Sequence, residues 1–478
     1  MTTPQLATTP TKSFWHTRGL FHPAAHPVPL PRIETPARHT ADVAIIGSGI
    51  AGTSLAYHLT RLDPEVTVAL IDARHIAGGA TGRNGGLLWP CLNASYKGLV
   101  ASKGEAAAAD IMRYEEQASA SAAAFIEGTP GMRELTEFSW LKHGGLFLFE
   151  GEEEAAEELA ELSEMRSRGY GRELEVWGAD ETNRRLGSVG YHGAIRYPRV
   201  GKVWAARWTL GIAQAAARAA AGGACGGGTG SMCGSRLALF EGAEASRVDE
   251  LPQSLSGASG GGSGGGLHRP HTLTVHTARG DAITARAVVH CTNAYAGGLL
   301  PELRGSLVPV RNQVIVTSPL APSQAMLDIS VYARRGYVYW SPRPDGRLVL
   351  GGFRDVVPGM EEGTADDGAL DPRVSDRIRG YLPDHFPGRF GDASPHVEME
   401  WAGILGFTQD RFPLVGALPP PEKASADSSR LGQFICAGFS GHGMTRAYSS
   451  AEGLARQLLR LPLGQAPLPA AFAPDGRM

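Results

Sequence analysis

Three glycine-bearing turns sit beside residues that could do chemistry. The first is GSGIAG, Gly47–Gly52, with Asp72 following it. In a G-x-G-x-x-G turn, Gly47 permits the tight reversal, Gly49 lets the backbone approach a pyrophosphate, and Gly52 lets helix and strand pack closely. With Ser48, Ile50 and Ala51 they place free N–H groups and the positive end of a helix dipole on a phosphate. Asp72 stands about 20 residues on, where a ribose diol is expected. A carboxylate there disfavours a 2′-phosphate, although Arg74, just beyond Ala73, softens the point. The fingerprint does not choose between NAD and FAD, since both carry an ADP half. The second turn, GATGRNGG, Gly79–Gly86, has four glycines in eight positions. Such a segment suits backbone pressed against a flat or anionic ligand, and Thr81, Arg83 and Asn84 add donors. The third is GFSGHG, Gly438–Gly443. No nucleophile triad or carboxylate pair stands out.

These turns need elements to hold them. ADVAIIGSG reads as a buried strand, AGTSLAYHLTRL as a helix and VTVALIDA, 66–73, as a second strand, a β–turn–α–β unit. Residues 101–127 and 152–169 read as helices, with HGGLFLFEG as a strand between them. WTLGIAQAAARAA, 208–220, is another helix. LVPVRNQVIVTS, GYVYWSPR and GRLVLGGF have hairpin spacing, the last two joined across PDG, and predict an antiparallel sheet. QFICAGFSGHG returns to strand-then-turn, and MTRAYSSAEGLARQLLR to helix. The expected fold is α/β plus antiparallel β: a Rossmann-like domain interrupted by a mixed-sheet substrate domain. The boundaries expected are a proline-rich lead-in over 1–40, a discontinuous nucleotide-binding domain over 41–100, 187–310 and 396–478, and a substrate domain over 101–186 and 311–395. GGACGGGTGSMCGS (222–235) and SLSGASGGGSGGG (254–266) read as flexible inserts.

With 478 residues, 42% of them hydrophobic, the chain can bury a large core, and its net charge of −3 makes no electrostatic case for nucleic acid or an anionic membrane. No apolar run approaches the roughly 18 residues a membrane span needs. The five cysteines, at 91, 225, 233, 291 and 436, have neither C-x-x-C nor zinc-ligand spacing, so no metal site is expected. The N-terminus lacks a signal peptide's apolar core. It is acid-free up to Glu34 and carries Lys12, Arg18 and Arg32, as an organelle presequence would, but its prolines oppose an amphipathic helix. A cytoplasmic location is expected first, a mitochondrial or other organellar one second.

GSGIAG, Asp72, GATGRNGG and GFSGHG, in that order, resemble the D-amino-acid-oxidase-like family of FAD-dependent amine oxidoreductases. GLFLF, TNAY at Thr292–Tyr295, VPVRNQ at Val308–Gln313 and WAGILGFTQDRFPLVG at Trp401–Gly416 extend the resemblance over about residues 40 to 460. The GRNGG form resembles the γ-glutamylputrescine oxidase branch in particular. The resemblance implies that Gly47, Ser48, Gly49, Ile50, Ala51 and Gly52 cradle the pyrophosphate, and that Asp72, Ala73 and Arg74 meet the adenosine ribose. It implies that Thr81, Gly82, Arg83, Asn84, Gly85 and Gly86 line the ribityl chain and flavin ring, and that Val248 meets adenine, with Thr292 and Asn293 near the dinucleotide. Gly441, His442, Gly443, Met444 and Thr445 then form a helix N-terminus beside the flavin pyrimidine, where a dipole favours the charge of the reduced ring. Family members that tether their flavin use a cysteine ahead of the aspartate of a T-x-D-type segment. Counting back from Asp410 lands on Gly403, so the FAD is expected to be non-covalent.

The implied reaction oxidises a C–N bond: hydride passes from an amine or amino acid to the flavin, an imine forms, and O₂ or another acceptor takes the electrons. Arg83 and His442 are the candidate catalytic residues at the flavin. Arg311, Tyr337, Tyr339, Trp340 and Trp401 are the candidates for substrate contact, aromatic rings for an amine and arginine for a carboxylate. Two alternatives share the fold: a dehydrogenase that uses a quinone or electron-transfer protein, and a non-catalytic FAD-binding assembly factor.

Overall fold

The computed structural model describes residues 3–17, 29–90, 92, 95–221, 235–250, 267, 272–391, 394–420, 430–464 and 466–478. The two glycine-rich inserts lie outside these residues except for Ser235, as do Cys91, Cys225 and Cys233. A parallel core opens the fold. Strand β1 (Arg38–Ile46) leads through Gly47 into helix α1 (Ile50–Leu62), and the chain returns as β2 (Val68–Ile71). β2 is buried at all four positions, as a strand covered on both faces must be, which is why VALI carries no alternation. The sheet runs Ala245–Glu250, Leu273–Thr277, Ala282–His290, β1, β2, Leu237–Phe240; Gln433–Ala437 pairs with the 282–290 strand and Leu414–Ala417 joins beyond it. β1 is parallel to both its neighbours, with Val43 opposite Val68 on one side and Ala287 on the other.

The second sheet has eight strands. It begins with a long antiparallel pair, β3 (Leu307–Thr317) against Val397–Thr408, and continues through the expected hairpin of β4 (Val338–Pro342) and β5 (Leu348–Gly352). Ser330–Ala333, Gly145–Leu148, Ala194–Tyr197 and Glu175–Trp177 complete it. One of its pairs, Ser330–Ala333 with Gly145–Leu148, is parallel, so the sheet is mixed. Two strands cross the boundaries expected from sequence. Ala194–Tyr197 and Val397–Thr408 were expected in the nucleotide-binding unit, yet both pair in the second sheet. Sheet membership is set by pairing between distant segments, which local periodicity does not encode.

The N-terminal lead-in is not a loose tail over its described part. Phe14 and Trp15 are fully buried, with Phe14 stacked on Trp204 at 5.1 Å and Trp15 edge-on to the same ring at 5.5 Å. Among the described residues, no helix is long and apolar enough to cross a membrane.

Candidate active site

The first glycine turn has the geometry its spacing predicts. Gly47 has φ +107°, and a Cβ there would lie 2.5 Å from Cys291 O. A Cβ on Gly52 would lie 1.8 Å from Gly47 O, so only glycine lets α1 sit this close to β1. Gly49 caps α1 without any side-chain bond, which leaves N–H groups of the first turn without a side-chain acceptor at the cap, an end that favours an anion. The Asp72 carboxylate accepts from Ser48 N (2.6 Å), Ser48 Oγ (2.8 Å) and Arg74 N (2.8 Å). Burial pushes its carboxyl upward and these bonds oppose the rise. A carboxylate offers about four acceptor sites, so one stays open beyond these three bonds. Thr292 Oγ1 is buried beside this turn without a partner.

The second glycine turn is seated on the first. Ile50 N donates to Thr81 Oγ1 (3.1 Å), joining α1 directly to the 79–86 segment. Asn84 shapes its own loop: its Nδ2 donates to Thr81 O (2.9 Å) and its Oδ1 accepts from Gly86 N (2.8 Å). Gly86 has φ +68°, and a Cβ there would meet Val203 O at 2.5 Å; one on Gly85 would meet the Tyr339 ring at 2.6 Å. A Cβ on Gly82 would fall 2.1 Å from His16 Nε2.

The third turn ends in α2 (Gly443–Leu458), with His442 as N-cap and no side-chain cap bond. Its first N–H groups therefore point outward with the positive end of the dipole. His442 Nδ1 lies 3.2 Å from Ser440 O; a carbonyl can only accept, so Nδ1 carries the proton and Nε2 is the basic nitrogen. Burial, with Arg446 nearby, holds this imidazole down to about 3, so it is neutral at physiological pH. Thr445 Oγ1 donates to Trp89 O (3.2 Å) and ties α2 to the chain that leaves the second turn.

A single cavity of about 720 Å³ joins the second and third turns. Asn84–Gly86 form one side, Gly441, His442, Met444 and Thr445 one end, and Tyr332, Tyr337 and Tyr339 of the second sheet the facing wall. Arg354 also lines it, with its guanidinium over Tyr337 at 4.6 Å and Phe407 at 5.2 Å. Burial lowers the pKa of Arg354, and no described carboxylate makes an ion pair with it.

Several expected contacts fall elsewhere. Arg311 is bound to Glu361 (2.5 Å) and to Ala369 O (3.2 Å) and lies off the cavity; its neighbour Asn312 lines the cavity instead, as alternation along β3 dictates. Trp340 is fully buried in the second-sheet core while Tyr339 faces the cavity, for the same reason. Trp401 is fully buried and donates from Nε1 to Arg83 O (3.0 Å), so it braces the glycine segment rather than touching a ligand. The Arg83 guanidinium turns to Ala402 O (2.8 Å) and Asp367 (3.3 Å). Arg74 pairs with both oxygens of Asp367, at 2.7 and 2.8 Å. Asn293 Oδ1 accepts from Gly438 N (2.9 Å) and holds the third turn. Val248 lies on the edge strand opposite Val275; the backbone bonded to Asp72 and Arg74 is that of Gly242 and Ala243. Arg354, Asn312 and Trp89 were not singled out from sequence. Arg354 follows β5 after Phe353, a non-glycine residue at φ +62°, and no motif marks it.

Residues 42–457 match the family described as FAD dependent oxidoreductase, DAO. The chain belongs to this family. It is therefore an FAD-dependent oxidoreductase, and the three turns fit that cofactor: a cradle that side chains would fill, an orphaned hydroxyl at Thr292, and an uncapped helix end. Among curated relatives, a probable oxidoreductase OrdL of Rhizobium meliloti (strain 1021) is 27% identical over 86% of this chain and 81% of its own length. The gamma-glutamylputrescine oxidoreductase of Escherichia coli (strain K12) is 26% identical over 88% and 84%. Glycine oxidase from Geobacillus kaustophilus has the same fold, with a TM-score of 0.66 at 21% identity, covering 91% of this chain and 98% of that one. These neighbours bear out a Rossmann-like FAD domain joined to a mixed-sheet domain.

Proposed function

We propose that this enzyme oxidises the C–N bond of an amine that also carries a carboxylate, an amino acid in the broad sense. One observation carries the reading: a single cavity brings the bare backbone of Gly85–Gly86 and the N-terminus of α2 opposite an aromatic wall that holds a guanidinium with no ion-paired carboxylate among the described residues. When bound, FAD would supply the acceptor for a hydride from the carbon that bears the amine, and water would hydrolyse the imine released. The chain's residues orient and shield. Tyr337, Tyr339 and Tyr332 enclose the amine and exclude water, and their faces attract its cation on approach. Arg354 takes the place expected for Arg311 and holds the carboxylate. Little acid–base machinery is required, because the amine need only bind deprotonated, and the neutral His442 adds no charge to repel it. The names of relatives, a gamma-glutamylputrescine oxidoreductase and a glycine oxidase, support an amine or amino-acid substrate. The reading includes non-covalent FAD, since a Cβ at Gly403 would lie 2.8 Å from Arg83 Cβ, which leaves no room for a tethering side chain. It also includes O₂ as electron acceptor and a cytoplasmic location, which suits the free, buried Cys291 and Cys436.

The test is a panel of amines and amino acids mixed anaerobically with the holoenzyme while the oxidised-flavin band is followed. Amino acids should bleach it, and air should restore the colour with release of peroxide. Bleaching by no amine of either kind would sink the proposal. Recovery only with a quinone would shift the acceptor and make the enzyme a dehydrogenase.

A further inference from the structure

The N-terminal segment reaches the cofactor site from behind. Ser13 Oγ donates to Gly82 O at 2.6 Å, Trp15 Nε1 donates to Asn84 O at 2.6 Å, and His16 Nε2 bonds to Ala77 O at 2.9 Å. Thr11 Oγ1 accepts from Arg83 Nη1 (3.1 Å) and Ala402 N (2.9 Å), and Thr11 N donates to Asp367 O (2.9 Å). The segment is itself anchored. Trp204 Nε1 donates to Trp15 O (2.8 Å), and the Arg343 guanidinium lies 5.1 Å from the Trp15 ring and 5.3 Å from that of Trp204. None of residues 11–16 lines the cavity.

We propose that residues 11–16 form a positioning strap for the cofactor. It fixes the peptide planes of Gly82–Asn84 so that Asn84–Gly86 present their backbone to the flavin. A segment with four glycines in eight positions has much conformational freedom to lose on binding. Carbonyls held from behind by Ser13 and Trp15 remove part of that loss before the ligand arrives, and preorganisation of this kind appears as affinity. Without the strap, those carbonyls can turn to water in the apoprotein, but they are left unpaired when FAD pulls the segment into place. The penalty then falls on binding. Trp15 and Ser13 are positioning residues, and the inference rests on the FAD-binding reading of the 79–86 segment.

The test uses the full chain with Trp15→Phe, which keeps an aromatic ring and removes the indole N–H, and separately with Ser13→Ala. The apoprotein is prepared, FAD is titrated by quenching of its fluorescence, and amide hydrogen exchange is measured without FAD. Each variant should bind FAD about 10- to 100-fold more weakly. Exchange should quicken over residues 80–86 and stay at the wild-type rate over Arg38–Ile46 and Leu307–Thr317. FAD affinity within twofold of wild type in both variants overturns the strap. So does exchange that quickens equally in those core strands, because Trp15 would then be ordinary core. Ser13→Ala removes no ring; it deletes the bond to Gly82 O and the Ser13 Oγ cap on Trp15 N (3.2 Å), both within the strap, and keeps the test decisive if Trp15→Phe folds poorly. Failure of the wild-type chain itself to bind FAD would refute the cofactor reading instead.

Discussion

Arg354 bears the substrate assignment, so Arg354→Met is the sharpest perturbation. Methionine keeps an unbranched apolar stem against Tyr337 and Phe407 and removes only the charge and the donors. The guanidinium lies between two rings and is half-buried. Truncating one partner of a buried, hydrogen-bonded charge pair costs about 2–5 kcal/mol. Partial exposure puts Arg354 at the low end, about 2–3 kcal/mol, and that corresponds to about 30- to 150-fold in kcat/KM. The assay compares the best amino acid of the panel with the amine that lacks its carboxylate, both followed by flavin bleaching. The amino acid should lose about 30- to 150-fold while its decarboxylated counterpart changes less than about threefold. Arg311→Gln serves as the contrast. Its guanidinium is committed to Glu361 and Ala369 O, so it should lower thermal stability and leave both substrates' kcat/KM within about threefold. An equal loss for both substrates in Arg354→Met, or a selective loss in Arg311→Gln, would refute the assignment of the carboxylate to Arg354.

Glu158, at the cavity wall, is raised to about 7 by burial first, then by Glu154 and Glu161, with Arg335 opposing. A carboxyl raised on folding binds its proton more tightly in the native state, so stability should fall as pH climbs from about 4.5 to 7. Glu158→Gln should raise the melting temperature at pH 8 and flatten its dependence on pH over that window; an unchanged melting profile would contradict this. Acid-precipitated holoprotein should release all its yellow colour into the supernatant, and a coloured pellet would show covalent attachment.

The sequence was most legible where backbone does the work. Gly47, Gly52 and Gly86 are required by close approach or by φ, and such requirements leave glycine in a fixed pattern that can be read along the chain. Asp72 was legible for a related reason, since the end of a parallel strand places it. The substrate face was far less so. Arg311 and Asn312 are adjacent, and one register decides which of them sees the cavity. That register is fixed by pairing with residues about 90 positions away, Ile404 and Gly403. Arg354 could not be found at all, because its value depends on what fails to pair with it. A guanidinium is informative only once the carboxylates around it are located: Asp355 is paired with Arg334, and Glu362 makes no ion pair with Arg354 among the described residues.

The same distinction explains why Arg83 and Trp401 looked functional. Both stand in motifs that border the cavity, and their bonds act on its backbone. Trp401 Nε1 holds Arg83 O, the Arg83 side chain holds Ala402 O, and Thr11 bridges Arg83 and Ala402. The glycine segment is thus pinned from Val397–Thr408 on one flank and from the N-terminal strap on the other. A loop that must give its bare backbone to a ligand cannot use its own side chains for rigidity. Its order has to be imported, and the residues that supply it need not lie near it in sequence.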